Sequence, residues 1–312
     1  MKWTGVVPAI TTCFASGSPI DHGFMTAHCQ WLIENGCTGV VALGSLGEGA
    51  TLESDEKVAI LSNCAKAVKG RAAMVAAISS LTTTESVRLA KAAADAGCDG
   101  LMVLPPYVYR GDWREMKAHV TAVFQATRLS CMLYNNPIAY GTDFLPEQIK
   151  ELAGENGNLH AVKESSADVR RISAIRALIG ERLALLVGVD DAILEGIGAG
   201  AVGWVAGLAN ALPRESVDLF NYGVEGKVSQ AFELYRWFLP LLRLDTVPKF
   251  VQLIKLVQEE LGVGNADVRG PKLRLTGTEL EATRKLIHES IKARPHAAST
   301  RFDGRSQSLG AR

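Results

Sequence analysis

Eight short runs of β-forming residues recur along the first 210 positions, and the gaps between them restrict the fold more than any other feature. They are "GVVPAITTCF" (5–14), "GVVALGS" (39–45), "AMVAAIS" (73–79), "GLMVLP" (100–105), "SCMLYNN" (130–136), "LHAVKES" (159–165), "LALLVGV" (183–189) and "AVGWVAG" (201–207). Successive runs start roughly 20 to 35 residues apart, room for one helix each, the repeat of a parallel sheet with crossover helices. The gaps carry helix signals. Thr82 and Glu85 form a capping-box pattern, Val87, Ala90 and Ala94 share an apolar face, and Gly97 is a stop. Ser54 is placed to cap a helix with Asp55 and Glu56 in its first turn. Eight such units predict an α/β fold, a (β/α)8 TIM barrel. An open doubly wound sheet would need a glycine-rich phosphate loop after its first strand, and "PAITTCFASGSP" is not GxGxxG.

After residue 210 the pattern becomes helical, through "PRESVDLFNYGVEG", "QAFELYRWFLPLLRL", "PKFVQLIKLVQEELG" and "GTELEATRKLIHESIKA". The first reads as the eighth barrel helix and the rest as a three-helix extension. The expected organisation is a barrel over 1–225, a helical extension over 226–293 and a disordered tail over 294–312, where periodicity is lost.

Composition narrows the partner. With 33 basic and 33 acidic side chains there is no charge excess to attract nucleic acid or an anionic membrane, so a small molecule is expected. The six cysteines have no CxxC pair and no nearby histidine cluster, so neither a zinc site, another metal, nor a disulfide framework is expected. "MKWTGVVPAITTCF" is too short in its apolar part for a secretory signal, and no stretch reaches the ~18 apolar residues of a membrane span, which suggests a cytoplasmic protein.

In a barrel of this kind chemistry sits at the C-terminal strand ends. Ser45, Tyr107, Tyr134 and Lys163 fall there. Alternation in the sixth run groups Lys163 with Leu159 and Ala161 on one face, and His160, Val162 and Glu164 on the other. A lysine with the usual pKa near 10.4 is neutral in roughly one molecule in a few thousand at pH 7. The chemistry that needs a neutral amine is attack on a carbonyl to form a Schiff base. Plainer readings stay open: pairing of Lys163 with Glu164, or escape of its amine to solvent at the rim. Tyr134, at the neighbouring strand end, is placed to relay the protons that carbinolamine and enamine intermediates exchange, or simply to pack the mouth. "GSLGEG" offers backbone N–H groups and the Ser45 hydroxyl to a carboxylate.

Together, "GSLGEGATL", "LPPY", "YNNP", "VKESS", "GVDDAILEG" and "GAVGWVAGLAN" resemble, in order and approximate spacing, the dihydrodipicolinate synthase / N-acetylneuraminate lyase family over about residues 3–293. The resemblance implies a (β/α)8 barrel with a C-terminal helical extension, a homotetramer built as a dimer of dimers, and a Schiff base between lysine and a 2-oxo acid, without a cofactor. It implies that Lys163 is the Schiff-base lysine and Tyr134 the relay tyrosine. Gly44, Ser45 and Leu46 match the carboxylate-binding turn, Leu46 offering only its backbone. Val205 matches the strand-eight position whose carbonyl faces the keto acid, and Gly188 the glycine ending strand seven. Asn135, Asn136 and Tyr140 are candidate substrate contacts, or residues shaping the turn around Pro137.

Two departures bear on the reaction. Val108 stands where the family's synthases carry a second relay tyrosine, unless Tyr109 substitutes for it. Ala139 stands where they carry an arginine for the aldehyde substrate's carboxylate, and no arginine replaces it within that loop. The surrounding motifs are similar to the family's Δ1-pyrroline-4-hydroxy-2-carboxylate deaminases of hydroxyproline breakdown, hydrolases of a cyclic C–N bond that yield 2-oxoglutarate semialdehyde and ammonia. The alternatives are dihydrodipicolinate synthase or another 2-oxo acid (pyruvate) aldolase or lyase of the family and, in a different class, a non-catalytic carboxylate-binding barrel.

Overall fold

The computed structural model describes residues 1–15 and 19–295. From residue 296 onward, the expected tail lies outside the described residues. Eight parallel strands form one sheet: β1 (Gly5–Val6), β2 (Gly39–Ala42), β3 (Ala73–Ile78), β4 (Gly100–Val103), β5 (Ser130–Asn135), β6 (Leu159–Glu164), β7 (Ala184–Val187) and β8 (Gly203–Trp204). Each pairs with its sequence neighbour from β2 to β8, and β8 pairs with β1. A parallel bridge between Ala9 and Val41 closes the ring, with Val41 N–H on Pro8 O at 2.8 Å and Ile10 N–H on Val41 O at 2.9 Å. The chain is therefore a (β/α)8 barrel.

Helices cover the outer face of the strands and packed side chains fill the ring within, and this is why the runs read as continuously apolar rather than alternating. Val40, Val75, Leu101, Leu133, Val162 and Leu186 are fully buried. All eight expected runs contain a strand, but the first and last are shorter than their runs. Pro8 has no N–H to give the ladder in the first. In the last, the Gly207 and Leu208 N–H groups turn to the Asp190 carboxylate, at 3.1 and 2.8 Å, instead of continuing the ladder.

Thr82 caps its helix as expected, accepting from Glu85 N–H at 3.2 Å. Ser54 does not: Glu53 occupies the N-cap of the helix Ser54–Val68, and Glu56 reaches back to the Glu53 N–H at 2.9 Å. That return bond satisfies the donor one residue upstream and sets the boundary there.

The helices Val228–Leu242, Phe250–Glu260 and Gly277–Lys292 follow the barrel helix Pro213–Val224. They are tied to the barrel by buried polar contacts. Lys255 donates to Glu48 Oε1 at 2.9 Å and Thr12 O at 2.8 Å, and Thr11 Oγ1 donates to Gln258 Oε1 at 2.8 Å. All six cysteines are buried free thiols. Among the described residues no helix is long and apolar enough to cross a membrane.

Candidate active site

Register brings the two central residues together. Tyr134 on β5 is the direct partner of Lys163 on β6. Lys163 is only 6% exposed, and its Nζ lies 4.1 Å from the centroid of the Tyr134 ring. The plainer readings of this lysine do not describe it. Glu164 faces the other way, accepting from Ser166 N–H at 2.7 Å and Asn135 Nδ2 at 3.1 Å, while the Lys163 amine stays inside the mouth.

The lysine's stem depends on a missing side chain. A Cβ at Gly188, just past β7, would land on Ser165 Oγ, 2.5 Å from Lys163 Cε and 2.7 Å from its Cγ. Gly188 is thus a glycine because the lysine passes over it. Val205, just past β8, is buried and continues the ladder through its N–H to Val187 O at 2.9 Å.

On the far side of Tyr134 lies a chain of hydroxyls. The short helix Pro137–Tyr140 folds Tyr140 back so that its OH meets Ser45 Oγ. Its ring stands edge-on to Tyr134 at 5.8 Å and to Tyr107 at 5.7 Å. Tyr107 lies beside the same group, with the hydroxyls of Ser79, Tyr140 and Ser45 around its phenol. Burial raises the Tyr107 phenol, and burial with the neighbouring tyrosines raises Tyr140 well above the usual range. Both are therefore held as hydroxyls able to donate and accept. Asn136 donates to Tyr134 OH at 3.0 Å and also caps the short helix through Ala139 N–H. Asn135 is not a substrate contact: it is fully buried behind the strand, bridging Asp143, Glu164 and Phe144 N–H.

The turn that carries Gly44, Ser45 and Leu46 closes on itself through Glu48 N–H to Ser45 O at 3.2 Å and Gly49 N–H to Gly44 O at 3.1 Å. Leu46 buries its side chain, leaving its backbone to the turn. Glu48 is buried and anchors this turn from behind, accepting from Lys255 Nζ and from Arg269 N–H at 3.1 Å.

With this geometry the comparisons with known proteins can be placed. Residues 2–290 match the model of the dihydrodipicolinate synthetase family. The chain belongs to that family. It is 28% identical over 288 residues to the 4-hydroxy-tetrahydrodipicolinate synthase of Methanocaldococcus jannaschii, covering 92% of this chain and 97% of the relative. It is 31% identical over 271 residues to that of Methanothrix thermoacetophila, covering 86% and 90%. Among solved structures, the 4-hydroxy-tetrahydrodipicolinate synthase of Methylacidiphilum fumariolicum SolV superposes with a TM-score of 0.88 at 28% identity, over 94% of this chain and 98% of that one. A dihydrodipicolinate synthase from Bacillus anthracis gives 0.89 at 26%, over 95% and 100%. The chain is thus an enzyme of the lyase and aldolase type that this family represents.

The two departures from the synthase pattern have definite places. Val108 is 87% exposed, and Tyr109 turns outward to Glu115 Oε1 at 2.9 Å, so within this chain neither joins the hydroxyl cluster. The missing arginine has a neighbour that sequence reasoning overlooked: Arg110, from the loop after β4, packs its guanidinium over Gly141 at the end of the 137–140 helix.

Two acids at the mouth were also not foreseen. Asp190 is fully buried, accepting from Trp204 Nε1 at 2.9 Å and from Gly207 and Leu208 N–H. Burial pushes its carboxyl up to about 6, against those hydrogen bonds and the charge of Lys163. Asp245 comes from the helical extension. "GVDD" signalled a polar strand end, but nothing local linked "RLDT" to a strand more than 35 residues earlier. Among the described residues no group of three or more His, Cys, Asp or Glu is arranged to hold a metal ion.

Proposed function

We propose that Lys163 forms a Schiff base with the carbon next to the carboxylate of a small 2-oxo or cyclic 2-imino acid, and that the substrate is Δ1-pyrroline-4-hydroxy-2-carboxylate. The Schiff-base part is supported by a buried lysine paired in register with Tyr134, whose neighbour Tyr140 meets Ser45. The Lys163 amine adds to the ring imine carbon, the bond from that carbon to the ring nitrogen breaks to leave an imine on Lys163, and Tyr134 relays the proton lost from the adjacent carbon to give an enamine. The enamine expels the substrate hydroxyl as water. A proton then leaves the carbon bearing the freed nitrogen and another returns to the carbon next to the Lys163 imine, which turns the amine into a second imine. Hydrolysis of the two imines releases ammonia, 2-oxoglutarate semialdehyde and free Lys163.

One observation carries the finer assignment. Tyr140 stands edge-on to Tyr134 and joins its hydroxyl to Ser45 within a single chain, while Val108 points to solvent where synthases carry a relay tyrosine. The substrate side of this mouth therefore differs from theirs.

A second reading, 4-hydroxy-tetrahydrodipicolinate synthase, is favoured by the names of the relatives and by Arg110, whose guanidinium over Gly141 is placed to take a carboxylate. Both readings require that borohydride with pyruvate add mass irreversibly at Lys163. Labelling that persists in Lys163→Ala overturns both. The substrates separate them: the hydroxypyrroline carboxylate releases ammonia and an aldehyde that a semialdehyde dehydrogenase oxidises under the first reading. Condensation of pyruvate with a carboxylate-bearing aldehyde, without that release, replaces the first with the second.

A further inference from the structure

One carboxyl at the mouth has an oxygen without a hydrogen-bond partner and no part in the steps above. Asp245 ends the turn Arg243–Asp245, which follows the helix Val228–Leu242 of the extension. Its Oδ1 is buried and has no hydrogen-bond partner. The carboxyl lies over Gly207, just past β8: a Cβ there would come 2.7 Å from Oδ2 and closer still to Cγ and Oδ1. Only glycine admits an acid at this point.

Asp190 and Asp191 stand beside Asp245 on the turn after β7, and Lys163 faces it from β6. Arg243, on its own turn, leans towards Asp191 at 3.5 Å. A buried oxygen left without a partner is costly, so such groups are rare, and one kept at the barrel mouth marks a place for a ligand. Asp190 cannot fill the same role, because both its oxygens already accept from Trp204, Gly207 and Leu208. Burial, then the charge of Asp190, holds the Asp245 carboxyl well above the usual range, with Lys163 pulling the other way. It keeps its proton to higher pH than an ordinary carboxyl, as a donor must.

We infer that Asp245 donates the proton with which the substrate hydroxyl departs as water, an assignment that rests on the hydroxypyrroline reading above. In the enamine attached to Lys163, the nitrogen lone pair closes a C=N bond. The former C=C pair moves one carbon along to form a new C=C bond with the carbon bearing the hydroxyl. The C–O bond breaks, and its oxygen takes the Asp245 proton. The carboxylate left behind regains a proton from water before the next turnover.

The test uses Asp245→Asn, which keeps the shape and removes the acid. Turnover of the hydroxypyrroline carboxylate falls 100-fold or more, in the range of general acid catalysis. The loss of wild-type kcat towards high pH disappears, and pyruvate with borohydride still labels Lys163. A substrate with fluorine in place of the hydroxyl, which departs as fluoride, recovers most of the variant's lost rate. Should Asp245→Asn lose the labelling through misfolding, Asp245→Ser is carried through the same two substrates. A variant within threefold of wild type on the hydroxy substrate, or one equally slow on both substrates, overturns the assignment and leaves the deaminase reading standing. A wild-type protein that releases no ammonia from the hydroxy substrate overturns the reading and the assignment together.

Discussion

Replacing Gly188 with alanine tests whether the position of Lys163 depends on the space beneath it. The new Cβ would sit 2.5 Å from Lys163 Cε. Unbonded carbons rest at about 3.5 Å or more, so the lysine stem must give way by roughly 1 Å. Misplacing a reacting group by that distance costs on the order of 100-fold in rate. Overpacking also lowers stability, by about 1–3 kcal/mol, leaving a folded protein in which to read the effect. The assay is the rate at which pyruvate with borohydride adds mass at Lys163, beside urea unfolding of the same sample. Gly154→Ala is the control: it lies in the helix Pro146–Glu155 with nothing within 4 Å of the added Cβ. It labels at the wild-type rate and gains about 0.5–1 kcal/mol of stability. Gly188→Ala labelled at the wild-type rate would refute the reasoning, because the lysine would then have slack that the packing denies it.

Lys255→Met takes from the buried Glu48 carboxylate its nearer and fully buried ammonium, leaving Lys272 Nζ at 3.6 Å, and lowers the unfolding free energy by up to about 3 kcal/mol in urea titrations; adding Glu48→Leu recovers part of it. Tyr140→Phe breaks the hydroxyl chain at Ser45 and lowers kcat by about 10- to 100-fold with little change in KM, read in steady-state assays of the hydroxy substrate. His28 is fully buried, bonded through Nε2 to Asn210 O at 2.9 Å, and burial lowers it from 6.5 to about 4. The unfolded chain binds a proton through that window that the folded protein refuses, so stability present above pH 6.5 is lost as pH falls, by about 3 kcal/mol. Asp190, raised to about 6, works in the opposite direction, so the check is the difference between wild type and His28→Gln in urea midpoints at pH 7 and pH 5, which must shrink at the lower pH.

The barrel was legible because its signal is local and repeated: each apolar run is a strand buried on both faces, and each gap holds a helix. The register of Tyr134 against Lys163 follows from two adjacent runs ending in step. Boundaries were less legible where a side chain takes over a backbone donor, as Asp190 does at Gly207 and Glu56 at Glu53. What could not be read was anything joining distant segments. Glu48 and Lys255 are 207 positions apart, and Asp245 meets Gly207 across two helices and two turns. The contact of the Tyr140 hydroxyl with Ser45, 95 residues earlier, is of the same kind. Arg110 escaped notice because a search along one loop cannot see a guanidinium arriving from another.

The buried link from Glu48 to Lys255 and the Arg269 backbone also sets an order of events in the life of the molecule. A chain emerging from the ribosome completes its eighth strand by residue 204, yet the cup behind Ser45 then holds an acid with no cation to meet it. The counter-charge arrives about 50 residues later, when the helix Phe250–Glu260 is made. Nascent chains that end before it would carry Lys163 and Tyr134 in a finished ring but leave the turn at Ser45 without the ammonium that anchors it, so the barrel mouth settles only once nearly the whole chain is in place.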